Sequence, residues 1–243
     1  MIVNAIIQAR CGSSRFPDKV FAEIDGNPLL WHAVNRLTYA NRIDDVIVAT
    51  TCNHMDDAIE EWCKTENVKC FRGSEEDVLN RYYKASLAFP SDVIVRITAD
   101  DPFKEPTVID NVISKLENEN FDLVTNNFPP SFPEGLDCEA FTSDILETME
   151  KNADDTFERE HVTQYIYRNQ DKFRIGNVSS DKNLSNLRWT IDNKEDYDMV
   201  NEIYQHRKNK KGLLLMNEIL DILKDNPEIV NINSKVKRST MYQ

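Results

Sequence analysis

Five short stretches are apolar at most positions and end abruptly in polar or turn residues: Ile2 to Ile7, Val46 to Ala49, Val68 to Phe71, Val93 to Ile97 and Leu123 to Val124. A strand with one wet face alternates, whereas near-continuous runs fit strands buried on both faces. Between them lie segments with helical periodicity. Residues 28–40 place Leu29, Leu30, Ala33, Val34 and Leu37 on one stripe, and residues 56–66 do so with Ala58, Ile59, Trp62 and Cys63. Residues 76–88 use Val78, Leu79, Tyr82, Ala85 and Ser86, and residues 107–118 use Val108, Ile109, Val112, Ile113 and Leu116. Parallel neighbours need crossovers that cover a face of the sheet. The alternation therefore predicts an α/β fold with a mostly parallel central sheet and helices on both faces.

The alternation loosens after residue 126. NNFPPSFPEG holds three prolines and reads as a long loop, a kind of segment that is often functional. Helices are expected at 143–151, 158–168, 195–207 and 213–225, strands near 173–178 and 187–191, and a frayed tail at SKVKRSTMYQ. With no internal repeat and no low-complexity linker, residues 1–243 read as one domain with a small β excursion near 128–180.

Composition narrows the partners. The chain carries 42 Asp and Glu against 29 Lys and Arg, a formal net charge of -13. An acidic protein of this kind is not expected to bind nucleic acid or an anionic membrane surface nonspecifically. A phosphorylated ligand stays open, because a local cationic pocket outweighs a distant field screened within about 10 Å. No apolar run has the length of a membrane span, and the N-terminus lacks the layout of a signal peptide. Five cysteines without a CxxC spacing (Cys11, Cys52, Cys63, Cys70 and Cys138) suit a reduced, cytoplasmic protein.

Against that acidic background, MIVNAIIQARCGSSRFPDKV gathers Arg10, Arg15 and Lys19 around Gly12, Ser13 and Ser14, directly after the first strand. Loops at the carboxyl ends of parallel strands are where ligands bind. Small residues there expose backbone N–H groups, and the cations neutralise phosphate charge. The segment is neither a P-loop nor a dinucleotide fingerprint; a solvated basic loop is the alternative. AIIQARCGSSRFPDKV resembles the signature A-x-x-x-A-R-x-x-S-x-R-x-x-x-K of the cytidylyltransferases that activate Kdo, sialic acid and related acids as CMP-sugars, and is most similar to the SpsF-like branch. The resemblance implies a nucleotide-diphospho-sugar transferase fold, Rossmann-like and GT-A-like. It also implies that Ala9, Arg10, Gly12, Ser13, Ser14, Arg15 and Lys19 wrap the triphosphate of CTP.

Further segments carry the same resemblance. In FRGSEEDVLNRYYKA, Ser74 followed by three acids reads as a helix N-cap, and Asp77 with Arg81 as an i,i+4 pair. The resemblance adds Arg72 and Ser74 as contacts to base or ribose. VIVRITADDPF is a strand ending in paired carboxylates, which repel unless a cation intervenes; divalent metal binding or an Asp N-cap would each answer. The resemblance assigns Asp100 to Mg²⁺ and leaves Asp101 near the substrate. PEGLDCEAF points Asp137 and Glu139 to one face of an extended segment, either toward an acceptor or as a solvated pair. In TFEREHVTQYIY, Thr156 is a potential N-cap, and the resemblance puts Glu158 and His161 beside the acceptor. LRWTIDNKEDY reads as a strand, Trp189 to Ile191, ending in Asp192; the resemblance makes Asp192 the second metal ligand and keeps Arg188 beside the substrate.

Together these segments imply a cytidylyltransferase. It would move CMP from CTP to a sugar acid or phosphorylated acceptor with release of pyrophosphate, with cell-surface polysaccharide biosynthesis as its setting. Mg²⁺ would be the cofactor, Arg10, Lys19, Asp100 and Asp192 the catalytic set, and a homodimer the expected assembly. Two alternatives stand beside this: a metal-dependent GT-A-type glycosyltransferase, and a noncatalytic nucleotide-binding protein on the same fold.

Overall fold

The sheet is built outward from its first strand, β1 (Val3–Gln8). The structure is a computed structural model and describes residues 1–13, 15–209 and 211–237. A small hairpin of β2 (Glu23–Ile24) and β3 (Asn27–Pro28) leads into α1 (Leu29–Leu37). Then follow β4 (Asp45–Thr51), α2 (Asp57–Thr65), β5 (Lys69–Gly73), α3 (Val78–Ala88), β6 (Val93–Thr98) and α4 (Pro106–Asn118). The second half contains β7 (Leu123–Thr125), β8 (Glu139–Thr142), α5 (Ser143–Asn152), α6 (Thr156–His161), α7 (Gln164–Arg168) and β9 (Ile175–Asn177). The described chain closes with α8 (Lys194–Gln205), α9 (Met216–Asp225) and a short 3-10 turn.

The main sheet has seven strands in the order β5-β4-β1-β6-β8-β7-β9. β1 pairs in parallel with both neighbours, Ile6 facing Ile47 of β4 and Arg96 of β6. Only β8 runs against the others, antiparallel to β6 on one side and to β7 on the other. Successive side chains of β1 go to opposite cores. Val3, Ala5 and Ile7 pack with Leu30, Ala33, Ile59, Cys63 and Val112 from α1, α2 and α4. Ile6 packs with Leu79 and Tyr82 of α3, Leu146 of α5 and Ile166 of α7. Two cores on two faces explain why the strands read as apolar throughout. A third cluster joins Phe103, Trp189 and Ile191 to Met199 and Ile203 of α8 and Ile219 of α9.

Several expectations shift. Residues 128–180 form no separate β excursion: β8 and β9 join the main sheet, and three helices fill the intervening chain. Trp189 to Ile191 is extended but is not a strand. Trp189 N donates to Glu134 O at 2.7 Å and Ile191 N to Asp100 O at 2.9 Å, so the segment is stitched to two loops and has no ladder. The single helix expected at 158–168 is two, divided at Val162, where φ is 60° and ψ is -66°. There Thr163 N reaches back to His161 O at 2.7 Å, a γ-turn in a strained region for a β-branched residue. Caps also move. Asp155 caps α6 in place of Thr156, and Asp77 caps α3 in place of Ser74, whose hydroxyl accepts from Asp77 N at 3.0 Å. Residues 238–243 of the expected tail lie outside the described residues.

The proline-rich loop has one position that demands glycine. Gly135 has φ +104°, and a Cβ there would lie 2.7 Å from Thr190 N. The close approach lets Glu134 bond to the 187–189 segment on both sides of its peptide. Gly135→Ala is therefore expected to cost about 1–3 kcal/mol of stability through backbone strain and displaced backbone. Urea unfolding followed by circular dichroism checks this; a loss below about 0.5 kcal/mol, the scale of an ordinary surface change, contradicts it.

Candidate functional site

Loops at the carboxyl ends of β1, β5, β6 and β7 surround a cavity of about 1390 Å³. The loop after β1 is fixed at its root. Ala9 N donates to Ala49 O at 3.2 Å, and the buried Asp56 carboxylate accepts from Cys11 N at 2.7 Å and from the Thr51 hydroxyl. From that anchor Arg10, Ser13, Arg15 and Lys19 reach the cavity. Gly12 is exposed and does not line it, and Ser14 lies outside the described residues.

Lys19 opens a short 3-10 turn and sends its ammonium between two carboxylates. Its Nζ lies 3.0 Å from Asp100 Oδ2, 3.1 Å from Asp192 Oδ1 and 2.8 Å from the carbonyl of Ile191. Arg15 adds a bond to Asp192 Oδ1 at 2.9 Å, and Arg188 holds Asp192 Oδ2 at 2.9 Å. Burial works against charge on Asp100, but the Lys19 ammonium and the Thr98 hydroxyl outweigh it and hold its pKa at about 2. Burial likewise opposes charge on Lys19, and Asp100 and Asp192 overcome it, raising its pKa. The structure thus brings together the two carboxylates named from the sequence.

Around this centre lies a layer of ion pairs. Asp101 accepts from the Thr98 hydroxyl at 2.7 Å and pairs at 2.8 Å with Lys104, which is fully buried and also donates to the Asp137 carbonyl. Burial pushes the Asp101 pKa up, against the pull of Lys104. Arg188 spans Glu134, Asp192 and Asp196, each at 2.9 Å, which raises its pKa despite its burial. On the far side, Glu139 faces the cavity but is held by Arg96 at 2.7 Å, Tyr167 at 2.7 Å and the Thr163 hydroxyl. Asp137 lines the cavity too. Thr156, Arg159, Glu160 and His161 form a further wall. Arg159 ties α6 to α3 through Asp77 at 2.6 Å, and also bonds Glu150 at 2.8 Å. His161 packs edge-on against Phe157 with ring centroids 4.4 Å apart, and burial lowers its pKa.

Three expected residues stand apart. Arg72 does not line the cavity: its guanidinium is taken up by Asp57 at 2.6 Å, Glu60 at 2.9 Å and the carbonyls of Thr51 and Asn53. Ser74 is used in the turn before α3. Glu158 is buried against Arg168 at 3.3 Å and faces away. The expected Asp77–Arg81 pair is absent among the described residues, because Asp77 is engaged by Arg159 while Arg81 donates to Ser74 O. Sequence reasoning missed Arg96, Lys104, Glu134, Arg159 and Asp196. Arg96 had a signal, being the one charge in the apolar run VIVRIT.

Lys19→Met leaves Asp100 and Asp192 without the cation between them. Asp100 carries a depressed folded pKa, so its stabilisation exists above its unfolded value of 3.8 and is lost as pH falls toward 2. The variant is expected to lose on the order of 2 kcal/mol at neutral pH, and the gap to wild type narrows as pH falls from about 4 to about 2. Urea melts across that range test it; a gap independent of pH contradicts the ion-pair origin.

Comparisons with known proteins identify the family and the fold. A family model described as "Cytidylyltransferase" matches residues 4–235. The spore coat polysaccharide biosynthesis protein SpsF of Bacillus subtilis is 31% identical over 230 residues, covering 92% of this chain and 94% of that protein. An uncharacterized protein of Methanocaldococcus jannaschii is 39% identical over 246 residues, covering 99% of this chain and 98% of its own. Among solved structures, a cytidylyltransferase from Leptospira borgpetersenii superposes with a TM-score of 0.89 at 32% identity, covering 95% of this chain and 97% of that one. These findings set aside the glycosyltransferase and noncatalytic alternatives: the chain belongs to the cytidylyltransferase family of CTP-dependent nucleotidyltransferases.

Proposed function

We propose that this cavity transfers CMP from CTP to a small acceptor, a sugar acid or a phosphorylated compound, within the synthesis of a cell-surface polysaccharide. One observation carries the reading. The cationic loop after β1 delivers Lys19 and Arg15 onto the two carboxylates at the carboxyl edge of the sheet. The name of the SpsF relative supports the polysaccharide setting.

Asp100 and Asp192 already share one cation, the Lys19 ammonium, and the pair fits a Mg²⁺ ion in the same way. Among the described residues no group of three or more acids, His or Cys is placed to hold a metal. Two carboxylates, completed by phosphate oxygens and water, are how this hard ion is usually bound. When bound, Mg²⁺ supplies Lewis-acid stabilisation to phosphate oxygens. The chain's own groups do the rest. Arg10, Arg15 and Lys19 offset the charge that collects on departing pyrophosphate as an acceptor oxygen attacks the α-phosphorus. Arg188 and Lys104 hold Asp192 and Asp101 in place. Asp137 and His161 face the same space from the acceptor side, the imidazole tending to the neutral form. Catalysis of this type rests on positioning and electrostatics.

The test is pyrophosphate release from CTP with Mg²⁺ across a panel of sugar acids and phosphorylated sugars. Asp100→Asn and Asp192→Asn are expected to cut turnover by about 10²–10³-fold, as losses of comparable electrostatic groups do. Near-wild-type turnover in either variant contradicts that residue's role, and release of a nucleoside diphosphate in place of pyrophosphate contradicts the reaction.

A further inference from the structure

The cations read as phosphate ligands and the carboxylates read as metal ligands hold one another. Asp192 Oδ1 receives Lys19 Nζ at 3.1 Å and Arg15 Nη2 at 2.9 Å, and Asp192 Oδ2 receives Arg188 at 2.9 Å. Asp100 Oδ2 receives Lys19 Nζ at 3.0 Å. With a third bond to the Ile191 carbonyl at 2.8 Å, all three donors of the ammonium are in use. Arg10, the other cation of this loop, rests on Glu75 at 3.4 Å.

Arg188 and the loop cations differ in how firmly they are placed. Arg188 is buried and also pairs with Glu134 and Asp196, so it stays in place whatever Asp192 does. Lys19 reaches its partners on a flexible four-carbon stem that starts from a three-residue 3-10 turn. The Arg15 side chain is 66% exposed, and Asp192 is its one ion-pair partner among the described residues.

A divalent ion such as Mg²⁺ contacts carboxylate oxygens at about 2.1 Å, and here it needs the oxygens that face Lys19 and Arg15. Two cations on one pair of oxygens repel, so ion and ammonium compete. A chain of phosphates has the opposite need, for the ammonium and the guanidinium themselves. An exchange of partners meets both needs. The loop cations pass from carboxylate to phosphate oxygens, the carboxylates pass from the loop cations to the divalent ion, and no charge is left uncompensated. We propose that Lys19 and Arg15 act as a built-in counter-ion that keeps a divalent cation off Asp100 and Asp192 until a polyphosphate draws them away, so that metal and triphosphate strengthen each other's binding. The inference rests on the CTP reading given above.

Two binding measurements on the full chain, both without nucleotide, test it. In the first, Mn²⁺ is titrated and followed by electron paramagnetic resonance. K19M is expected to bind Mn²⁺ about 10-fold more tightly than wild type, within the usual range of coupling between sites, and K19M/D192N to lose that gain. In the second, inorganic tripolyphosphate is titrated by calorimetry in the presence of EDTA. D192N is expected to bind it about 10-fold more tightly than wild type, because Lys19 and Arg15 are no longer held by that carboxylate. Should K19M fail to fold, R15Q removes the more exposed cation and is expected to gain Mn²⁺ affinity in the same direction. Equal Mn²⁺ affinity in the folded variant and wild type overturns the inference. So does a gain that survives in K19M/D192N, which places the ion elsewhere, and so does D192N binding tripolyphosphate no better than wild type. A wild-type protein that binds no CTP in the presence of Mg²⁺ overturns the proposed function itself, and the nucleotide-free measurements keep the two failures distinct.

Discussion

One ammonium group organises the site. Lys19 lies between Asp100 and Asp192, which come from distant parts of the chain, and it also donates to the carbonyl of Ile191, beside Asp192. Without a positive charge there, two carboxylates at the edge of a buried sheet would repel, and Asp192 would keep only Arg15 and Arg188. With it, the loop after β1, the end of β6 and the 188–192 segment form one electrostatic unit. The layer behind repeats the motif, with Lys104 set beside Asp101 and Arg188 among three acids.

Much of the fold was legible because its strands are buried on both faces. Runs such as VIVAT and VIVRI are not the pattern of a one-sided sheet, and the helices between them keep a clean stripe. What was not legible depends on tertiary partners. Trp189 to Ile191 has the composition of a strand, but the neighbouring backbone belongs to loops, so only isolated bonds form. The break at Val162 has no glycine or proline to announce it. Buried packing of Val162 and the engagement of Thr163 with Glu139 hold a conformation that propensity alone would reject.

The site divides along the same line. Lys19 and Asp100 stood out as part of a cation cluster and of an acid pair in an acidic chain, whereas Asp192 was marked by the family resemblance alone; the structure sets the three side by side. Arg72 was misplaced because its partners, Asp57 and Glu60, lie on a helix whose distance from β5 no spacing rule reveals. Glu139 was read as open to a ligand, whereas Arg96, Thr163 and Tyr167 from three other elements surround its carboxylate. Side chains that answer one another across the sheet are the part of a site that a single sequence conceals.

The Asp77 carboxylate caps α3 through Asn80 N and grips Arg159 of α6. One side chain therefore ties the start of α3 to α6, the helix that brings Thr156, Glu160 and His161 to the cavity wall. Removing that carboxylate would act at two places at once: α3 would lose its cap, and the wall one of its anchors.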